Sequence, residues 1–297
     1  MTPACPYCVT AFSPCSDRPV AVHYGSFYRH SDSNLVKRFR CRGCKKTFSR
    51  ATFHPCYRQN KRHKNEPLRR LLCSGVSLRR SAIILNLSRT TVARKLLFLA
   101  MRSREISNKE QKKHLPASVV EFDDMETFEH SKCKPISITV AVEEKTRRIL
   151  SFEVSRMPAK GKLAAIALKK YGPRPDTRAV GRQRLFKRLL LLIHDNSEFK
   201  SDQNPHYPAS IRAYFPNSRH KAFKGRRGCV VGQGELKRGG FDPLFSLNHT
   251  CAKFRADINR LFRRTWCTTK KMECLRAHLA IYVCFHNRNL EKNLRPR

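Results

Sequence analysis

The sequence is poor in acidic residues: 22 Asp and Glu stand against 62 Lys and Arg, and the formal net charge is +40. An excess of this size is typical of proteins that bind a polyanion such as nucleic acid. Long apolar runs are missing as well, since the longest aliphatic run, residues 189–193, is far shorter than the ~20 residues that cross a bilayer. The first residues also lack the basic and then apolar pattern of a secretory signal peptide. We therefore expect an intracellular protein.

Composition and charge indicate several folded parts. A chain of 297 residues with 40% hydrophobic residues can bury a core and is long enough for about two or three domains. Residues 35–115 carry 23 Lys and Arg against three acids, whereas residues 117–144 carry seven acids against two lysines. The polar stretch 107–116 ends in Pro116 and reads as a linker between these parts. The chain has 13 cysteines, and in a reduced compartment those that occur in pairs are expected to bind metal rather than to form disulfides.

Two cysteine pairs near the N-terminus predict a zinc ribbon. Cys5 and Cys8 form one C-x-x-C turn, and Cys41 and Cys44 form another. Four thiolates complete the closed tetrahedral shell of a structural zinc site. Strand-like segments at residues 20–24 and 36–40 lie between the two turns, and the aromatic residues Phe39, Phe48 and Phe53 could pack around the metal. The alternative is a set of unrelated reduced cysteines, which the paired spacing disfavours.

The strongly basic segment that follows predicts a helix-turn-helix. We expect helices over residues 68–73, 77–85 and 88–100, with Ser77 and Ser88 as N-caps. The third helix resembles a recognition helix in its make-up, because polar and basic side chains at its start could contact base edges and phosphates. An ordinary helical hairpin with solvated charges is the alternative. The predicted DNA-contacting residues are Arg89, Thr90, Thr91, Arg94 and Lys95.

The C-terminal half predicts a catalytic domain built on a sheet. Residues 118–122 read as a strand that ends at Asp123 and Asp124, two more strands follow at 136–142 and 149–154, helical patterns occupy 162–171 and 183–193, and a strand over 198–201 leads to Asp202. This order is expected of a ribonuclease-H-like fold, in which the first and fourth strands place carboxylates side by side. Two divalent metals held there could activate a water or a 3′-hydroxyl and stabilise the leaving oxygen.

The whole chain is thus predicted to be a multidomain α+β protein. A zinc ribbon would occupy residues 1–60, a helix-turn-helix residues 61–115, and a ribonuclease-H-like α/β catalytic domain residues 116–297.

Three motifs in this half resemble the signatures of bacterial insertion-sequence transposases. They are the segments at 123–128 and 201–207 and the pair Asn248-His249, and the most similar groups are those numbered one and fifteen-ninety-five, which share an N-terminal zinc ribbon. The resemblance covers nearly the whole chain. It implies that Asp123 and Asp202 are the first two magnesium ligands. The third position falls on Asn248, where most relatives have Glu, and His249 would contact phosphate or orient water.

Two alternatives for the third metal ligand remain open. Asn248 would begin a predicted helix over 248–263 that carries Arg255 on the same face, close enough to pair with the transferring phosphate. Glu235 follows Asp202 at a spacing that is common in this superfamily, but it sits in a glycine-rich basic loop with Arg226 and Arg227 that suits a DNA backbone better. Asn248 is therefore favoured.

The function that these features predict is DNA transposition. The N-terminal modules would bind the terminal inverted repeats of an insertion sequence, and the catalytic domain would cleave the element ends with Mg²⁺ or Mn²⁺ and join the 3′-hydroxyl to target DNA. Structural Zn²⁺, double-stranded DNA, a homo-oligomer in the synaptic complex and a place in the bacterial cytoplasm at the nucleoid are implied. A transposase-derived DNA-binding regulator without catalysis and a structure-selective nuclease are the alternatives.

Overall fold

The computed structural model describes residues 4–8, 21–30, 33–224, 242–262 and 267–294. By packing, the chain divides into two compact units, Met1–Pro67 and Leu68–Arg297. The predicted three-domain division at residues 60 and 115 stays a prediction. Among the described residues, no helix is both long enough and apolar enough to cross a membrane.

The first unit contains a small antiparallel sheet. Its strands are β1 (Ala21–Arg29), β2 (Asn34–Cys41) and β3 (Thr47–Ser49), in the order β1-β2-β3. Phe39 and Phe48 face each other across β2 and β3 with ring centroids 5.8 Å apart, and both are buried with the cysteines. Phe53 touches the edge of Phe48 but is half exposed, so two of the three predicted aromatic residues form the core of this unit.

Three helices follow: α1 (Asn65–Leu72), α2 (Leu78–Ile84) and α3 (Arg89–Gln111). Both predicted N-caps are present, because the Ser77 hydroxyl accepts a hydrogen bond from the Arg80 backbone N–H (3.2 Å) and the Ser88 hydroxyl accepts one from the Thr91 N–H (3.1 Å). These bonds satisfy amides that have no partner inside the helix.

The third helix is much longer than its sequence pattern suggested, and the predicted linker at 107–116 is wrong over its first half, residues 107–111. α3 continues to Gln111, and its last turn is held by packing against α8 (Met272–Leu294) and the sheet of the second unit. The Glu110 carboxylate accepts from Arg288 (3.2 Å), and the Gln111 amide donates to the Leu150 carbonyl (2.7 Å). A polar segment is typical of a linker when only the sequence is considered, but here its polar side chains bond to residues far along the chain.

A five-stranded mixed sheet forms the centre of the second unit. Its strands are β4 (Ala117–Glu129), β5 (Ser131–Glu143), β6 (Ile149–Arg156), β7 (Ile193–Asp202) and β8 (Arg219–Phe223), in the order β6-β5-β4-β7-β8. β4, β5 and β6 are antiparallel, whereas β7 and β8 run parallel to β4. The mixed α/β character is confirmed, and this order is consistent with the predicted ribonuclease-H-like domain.

Helices cover both faces of this sheet. One face packs against α7 (Phe245–Asp257) and α8 through buried side chains such as Met125, Val140 and Phe254, and α3 packs on α8. The other packs against α5 (Arg178–Leu189) and α6 (Tyr207–Tyr214) through Phe122 and Phe199, while α4 (Leu163–Tyr171) precedes α5 along the chain. Successive residues of β4 alternate between these faces, so Asp123 shares the α7 side with Met125.

Two predicted element boundaries are wrong. β4 pairs with β5 as far as Glu129, so Asp123 and Asp124 lie inside the strand and not at its end. α7 ends at Asp257, where buried Ile258 takes an extended conformation, so the predicted helix over 248–263 is interrupted. Asn259 lies in a separate 3-10 turn and donates to the Gly75 carbonyl, and it does not share the helical face of Asn248 and Arg255.

Candidate functional site

The four cysteines of the first unit come together at one point. Cys5, Cys8, Cys41 and Cys44 each offer a sulfur within 4.8 Å of the others, and the Cys5–Cys44 and Cys8–Cys41 sulfurs are 3.6 and 3.7 Å apart. Four sulfurs at ~2.3 Å from one zinc ion are about 3.8 Å from each other in a tetrahedron. The spacing therefore matches a zinc site with four cysteine ligands, and the predicted ligand cluster is present.

The electrostatics of this cluster point the same way. Burial and the neighbouring thiols raise the pKa of Cys5 to about 12, so the thiolate is strongly disfavoured while no cation is bound. A metal ion supplies the positive charge that buried thiolates need. The arrangement suits a structural metal, because three of the four side chains are buried and leave little room for a substrate.

In the second unit, the strand register places Asp123 beside Asp202. β4 and β7 pair in parallel as Val119↔Glu198, Val120↔Phe199 and Glu121↔Lys200. Two steps further along both strands, the same register sets Asp123 opposite Asp202. Paired residues on neighbouring parallel strands lie ~4.8 Å apart and point to the same face, so the two carboxylates sit side by side on the face that α7 covers.

The environment of Asp123 disfavours its charge. Burial and the nearby negative charge of Asp202 raise the pKa of Asp123 to about 7, even though the Asp124 backbone N–H (2.6 Å) and the Tyr207 hydroxyl (3.2 Å) donate to its carboxylate. Two carboxylates crowded in this way favour a shared proton or a shared cation. Asp124 lies on the opposite face, where it accepts from the Thr139 hydroxyl, and it is not part of the pair.

Glu121 is a site residue that the sequence analysis counted only among the seven acids of residues 117–144. Its carboxylate is 1% exposed and accepts the backbone N–H of Leu247 in the first turn of α7 (2.8 Å). Burial is the main reason that its pKa rises to about 7. Glu121 precedes Asp123 by two positions, so the period of the strand could have placed it on the same face. Its helix partner, far along the chain, could not be read from the sequence.

Asn248 lies in the first turn of α7, above this face. Its side chain is exposed, and its amide nitrogen donates to the Asp242 carboxylate (2.9 Å). This bond leaves the amide oxygen as the atom that could bind a metal. Apart from the cysteines, no group of three or more His, Cys, Asp or Glu lies within ligand distance in the described part of the chain. The role of Asn248 as ligand stays a prediction.

The structure does not bring His249 to the carboxylate pair. Its Nε2 lies 3.4 Å from the Arg147 guanidinium in the β5–β6 turn, and its ring packs beside Phe245. Burial and the positive charges of Arg147 and Lys253 lower the pKa of His249. Consecutive helical residues differ by about 100° in direction, which is why His249 and Asn248 have different surroundings.

Arg255 remains on the same side of α7 as the carboxylates. The pKa of the Cys251 thiol, one turn away, is raised by burial to about 12, further raised by the charge of Asp123 and lowered by that of Arg255. Both charged groups thus act on the same thiol. Arg255 also lines a cavity beside the second half of β4, past Asp123 and toward Phe128.

Four of the five predicted contacts of α3 with DNA have accessible side chains. Arg89, Thr90 and Arg94 are exposed and Thr91 is half-buried, but Lys95 is only 3% exposed. The prediction that Lys95 faces solvent is wrong, because it adjoins Leu96 and lies three positions after Val92, which turns it toward the core. DNA binding by the other four stays a prediction.

Three other predicted positions, Arg226, Arg227 and Glu235, lie outside the described residues.

Comparison with known proteins adds little to this geometry. No protein-family model matches the chain, and no curated protein matches it. A solved structure to which the chain is similar is the catalytic domain of Mos1 mariner transposase, at 13% sequence identity, over 65% of this chain and 93% of that one, with a TM-score of 0.22. A similarity with so low a TM-score carries no argument about function.

Proposed function

We propose that the chain is a DNA transposase that cleaves and joins DNA strands with the help of divalent metal ions. The observation that carries this proposal is the register of β4 and β7, which sets Asp123 beside Asp202 on adjacent parallel strands. In a protein of net charge +40, a carboxylate pair repels a phosphodiester unless cations lie between them.

In this proposal each site residue has a definite task. Asp123, Asp202 and the amide oxygen of Asn248 would hold Mg²⁺ or Mn²⁺, and the bound ion would supply Lewis-acid chemistry toward the phosphodiester and an attacking water or 3′-hydroxyl. Tyr207 orients the Asp123 carboxylate through its hydroxyl. Glu121 fixes the first turn of α7 above the carboxylates, because it accepts the Leu247 N–H from a buried position.

The N-terminal parts supply the binding. The cysteine cluster holds zinc, and the exposed side chains at the start of α3 (Arg89, Thr90, Thr91 and Arg94) contact the inverted repeats at the element ends. Two ends have to be joined in one reaction, so at least two catalytic subunits act together. The partners are therefore double-stranded DNA and further copies of the same chain.

The experiment is a comparison of strand cleavage by the full chain and three variants. Asp123→Asn and Asp202→Asn are expected to lose magnesium-dependent nicking of duplex DNA and to retain binding in a gel shift. Asp195→Asn changes an exposed acid on the same strand, β7, and should cleave as the unmodified protein does. Nicking by the Asp202 variant at an undiminished rate would exclude this site.

A non-catalytic DNA-binding regulator is favoured by one observation. Asn248 is neutral and its amide nitrogen is held by Asp242, so the position offers a weaker metal ligand than the Glu of most relatives. In that case, the unmodified chain would bind DNA with no cleavage in either Mg²⁺ or Mn²⁺. A nuclease would cleave without joining a 3′-hydroxyl to a second duplex.

A further inference from the structure

A cavity of about 310 Å³ lies beside the second half of β4. Met125 and Thr127 line it from the strand, and both share the face of Asp123, which they follow by two and four positions. At ~3.4 Å per residue, Met125 lies about 7 Å along the strand from Asp123. Arg255 of α7 and the segment that follows this helix close the other side. The cavity is thus a neighbour of the carboxylate pair on one continuous surface.

Arg260 in the wall of this cavity is a half-buried cation whose charge none of the described residues balances. Its Nε is closed off from solvent and has no hydrogen-bond partner among the described residues. Nor does any carboxylate of the described ranges lie within ion-pair distance of its guanidinium, whereas Arg182 and Arg174 each have one. Burial lowers the pKa of Arg260. A charge withdrawn from water without a partner is costly, which indicates that an anion belongs beside it.

A second donor in the same wall also lacks a partner. Thr268 is 8% exposed, and its hydroxyl has no hydrogen-bond partner within the part of the chain that the structure describes. Buried hydroxyls are normally hydrogen-bonded. A guanidinium and a hydroxyl that both await an acceptor are the groups that bind phosphate oxygens.

The remaining lining supports an anionic ligand with an apolar part. Arg255 and Lys132 add two positive charges, and the acid in the wall, Glu126, already pairs with Lys160 at 2.8 Å. Apolar surface is contributed by Met125, Pro135, Phe128, Leu261 and Phe262. A volume at the lower end of the range for small-ligand pockets admits a nucleotide-sized group and excludes a duplex.

We propose that this cavity binds one phosphate, with its nucleotide, of the DNA strand on which Asp123 and Asp202 act. The identity of the strand rests on the proposed function, whereas the anion site rests on Arg260 and Thr268 alone. A phosphate held in the cavity, beside the carboxylates and not between them, would fix the position of the strand, so Arg260 is a positioning residue.

The test uses the full chain, Arg260→Met and Thr268→Val, with inorganic phosphate as the first probe. At matched ionic strength, replacing chloride by saturating phosphate should raise the Tm of the unmodified chain by on the order of 5 °C. Both variants should lose most of that rise and should be at least as stable as the unmodified chain in chloride. Arg212→Met removes an exposed arginine of α6 and should keep the rise.

A second measurement separates free phosphate from DNA. The salt dependence of binding to a short single-stranded oligothymidylate should weaken in Arg260→Met by about 0.7 in the logarithmic slope, as expected for one lost phosphate contact to a single strand. An unchanged slope beside a lost phosphate effect would assign the cavity to free phosphate and overturn the DNA ligand.

Two results overturn the anion site itself. One is a phosphate-dependent rise in Tm that Arg260→Met keeps. The other is unfolding of Arg260→Met in chloride, which would mean that the protein already balances this charge. The unmodified chain could also cleave no DNA while Arg260→Met loses both the phosphate-dependent rise in Tm and part of the salt slope. That result would support the anion site in the cavity and contradict the proposed transposase activity.

Discussion

Asp202→Asn is expected to stabilise the metal-free protein while it removes the reaction. Asp123 and Asp202 repel each other, and this repulsion together with burial raises the pKa of Asp123 to about 7. Two full charges on paired strands ~5 Å apart repel by about 3 kcal/mol at an effective dielectric constant of ~20. Near pH 7 Asp123 is about half ionised, so the variant should gain about 1–2 kcal/mol in free energy of unfolding, or on the order of 4 °C in Tm.

The sign of the pH dependence follows from the same pKa. The folded protein holds the Asp123 proton more tightly than the unfolded chain does, so its stability falls as pH rises from about 4 to about 7. Asp202→Asn lowers the folded pKa and reduces this fall. The advantage of the variant should therefore grow between pH 6 and pH 8.5.

The assay is thermal unfolding with EDTA and with Mn²⁺, run beside the cleavage assay. Mn²⁺ should raise the Tm of the unmodified chain and leave Asp202→Asn unchanged, while Asp195→Asn, whose side chain is exposed on the same strand, should follow the unmodified chain in every condition. A metal-free Asp202→Asn that is less stable than the unmodified chain at pH 8.5 would refute the repulsion, and with it the shared metal site.

Three further outcomes are expected. Removal of zinc by a chelator, or Cys41→Ser, should unfold the first unit and leave residues 68–297 folded, because a structural zinc contributes on the order of 10 kcal/mol. A purified chain that contains no zinc and keeps its first unit folded would contradict this prediction. Arg94→Ala should reduce the logarithmic salt slope of duplex binding by about 0.9 and leave the Tm unchanged. Lys95→Ala, at a buried position, should instead lower the Tm. An unchanged salt slope in the Arg94 variant would show that Arg94 does not contact DNA phosphate. His278 is fully buried, and mainly this burial lowers its pKa from 6.5 to about 4. The unmodified chain should therefore lose about 3 kcal/mol of stability as pH falls from about 6.5 to about 4. Urea unfolding should find a smaller loss in His278→Gln, and equal losses in the two proteins would contradict this explanation.

The sequence predicted local structural features correctly wherever a few neighbouring residues determine them. Ser77 and Ser88 cap their helices as predicted, because a cap involves a side chain and an amide only three positions away. The paired cysteines come together as predicted, since each C-x-x-C turn already orients two sulfurs. The short strand-like segments 118–122 and 198–201 likewise lie within β4 and β7, the strands that carry Asp123 and Asp202.

Errors arose where distant packing competes with a local pattern. The end of α3 is polar and reads as a linker, yet Glu110 and Gln111 bond to α8 and β6, which no local signal reveals. The sequence pattern assigned both Arg94 and Lys95 to the exposed face of α3. Only the position of the core in the folded structure shows that Lys95 faces inward. The end of α7 at Asp257 depends on burial of Ile258, again a tertiary effect.

The sequence by itself determined the cysteine ligands, the helix caps, the excess of positive charge and the presence of carboxylates on two strands, because these follow from composition and from contacts a few residues long. Only the tertiary structure decided that β4 and β7 pair in the register that sets Asp123 beside Asp202, that Glu121 bonds to Leu247, and that Arg260 and Thr268 share one cavity. Each of these depends on strand register or helix placement, which the burial of a common core selects among many arrangements that the same local pattern allows.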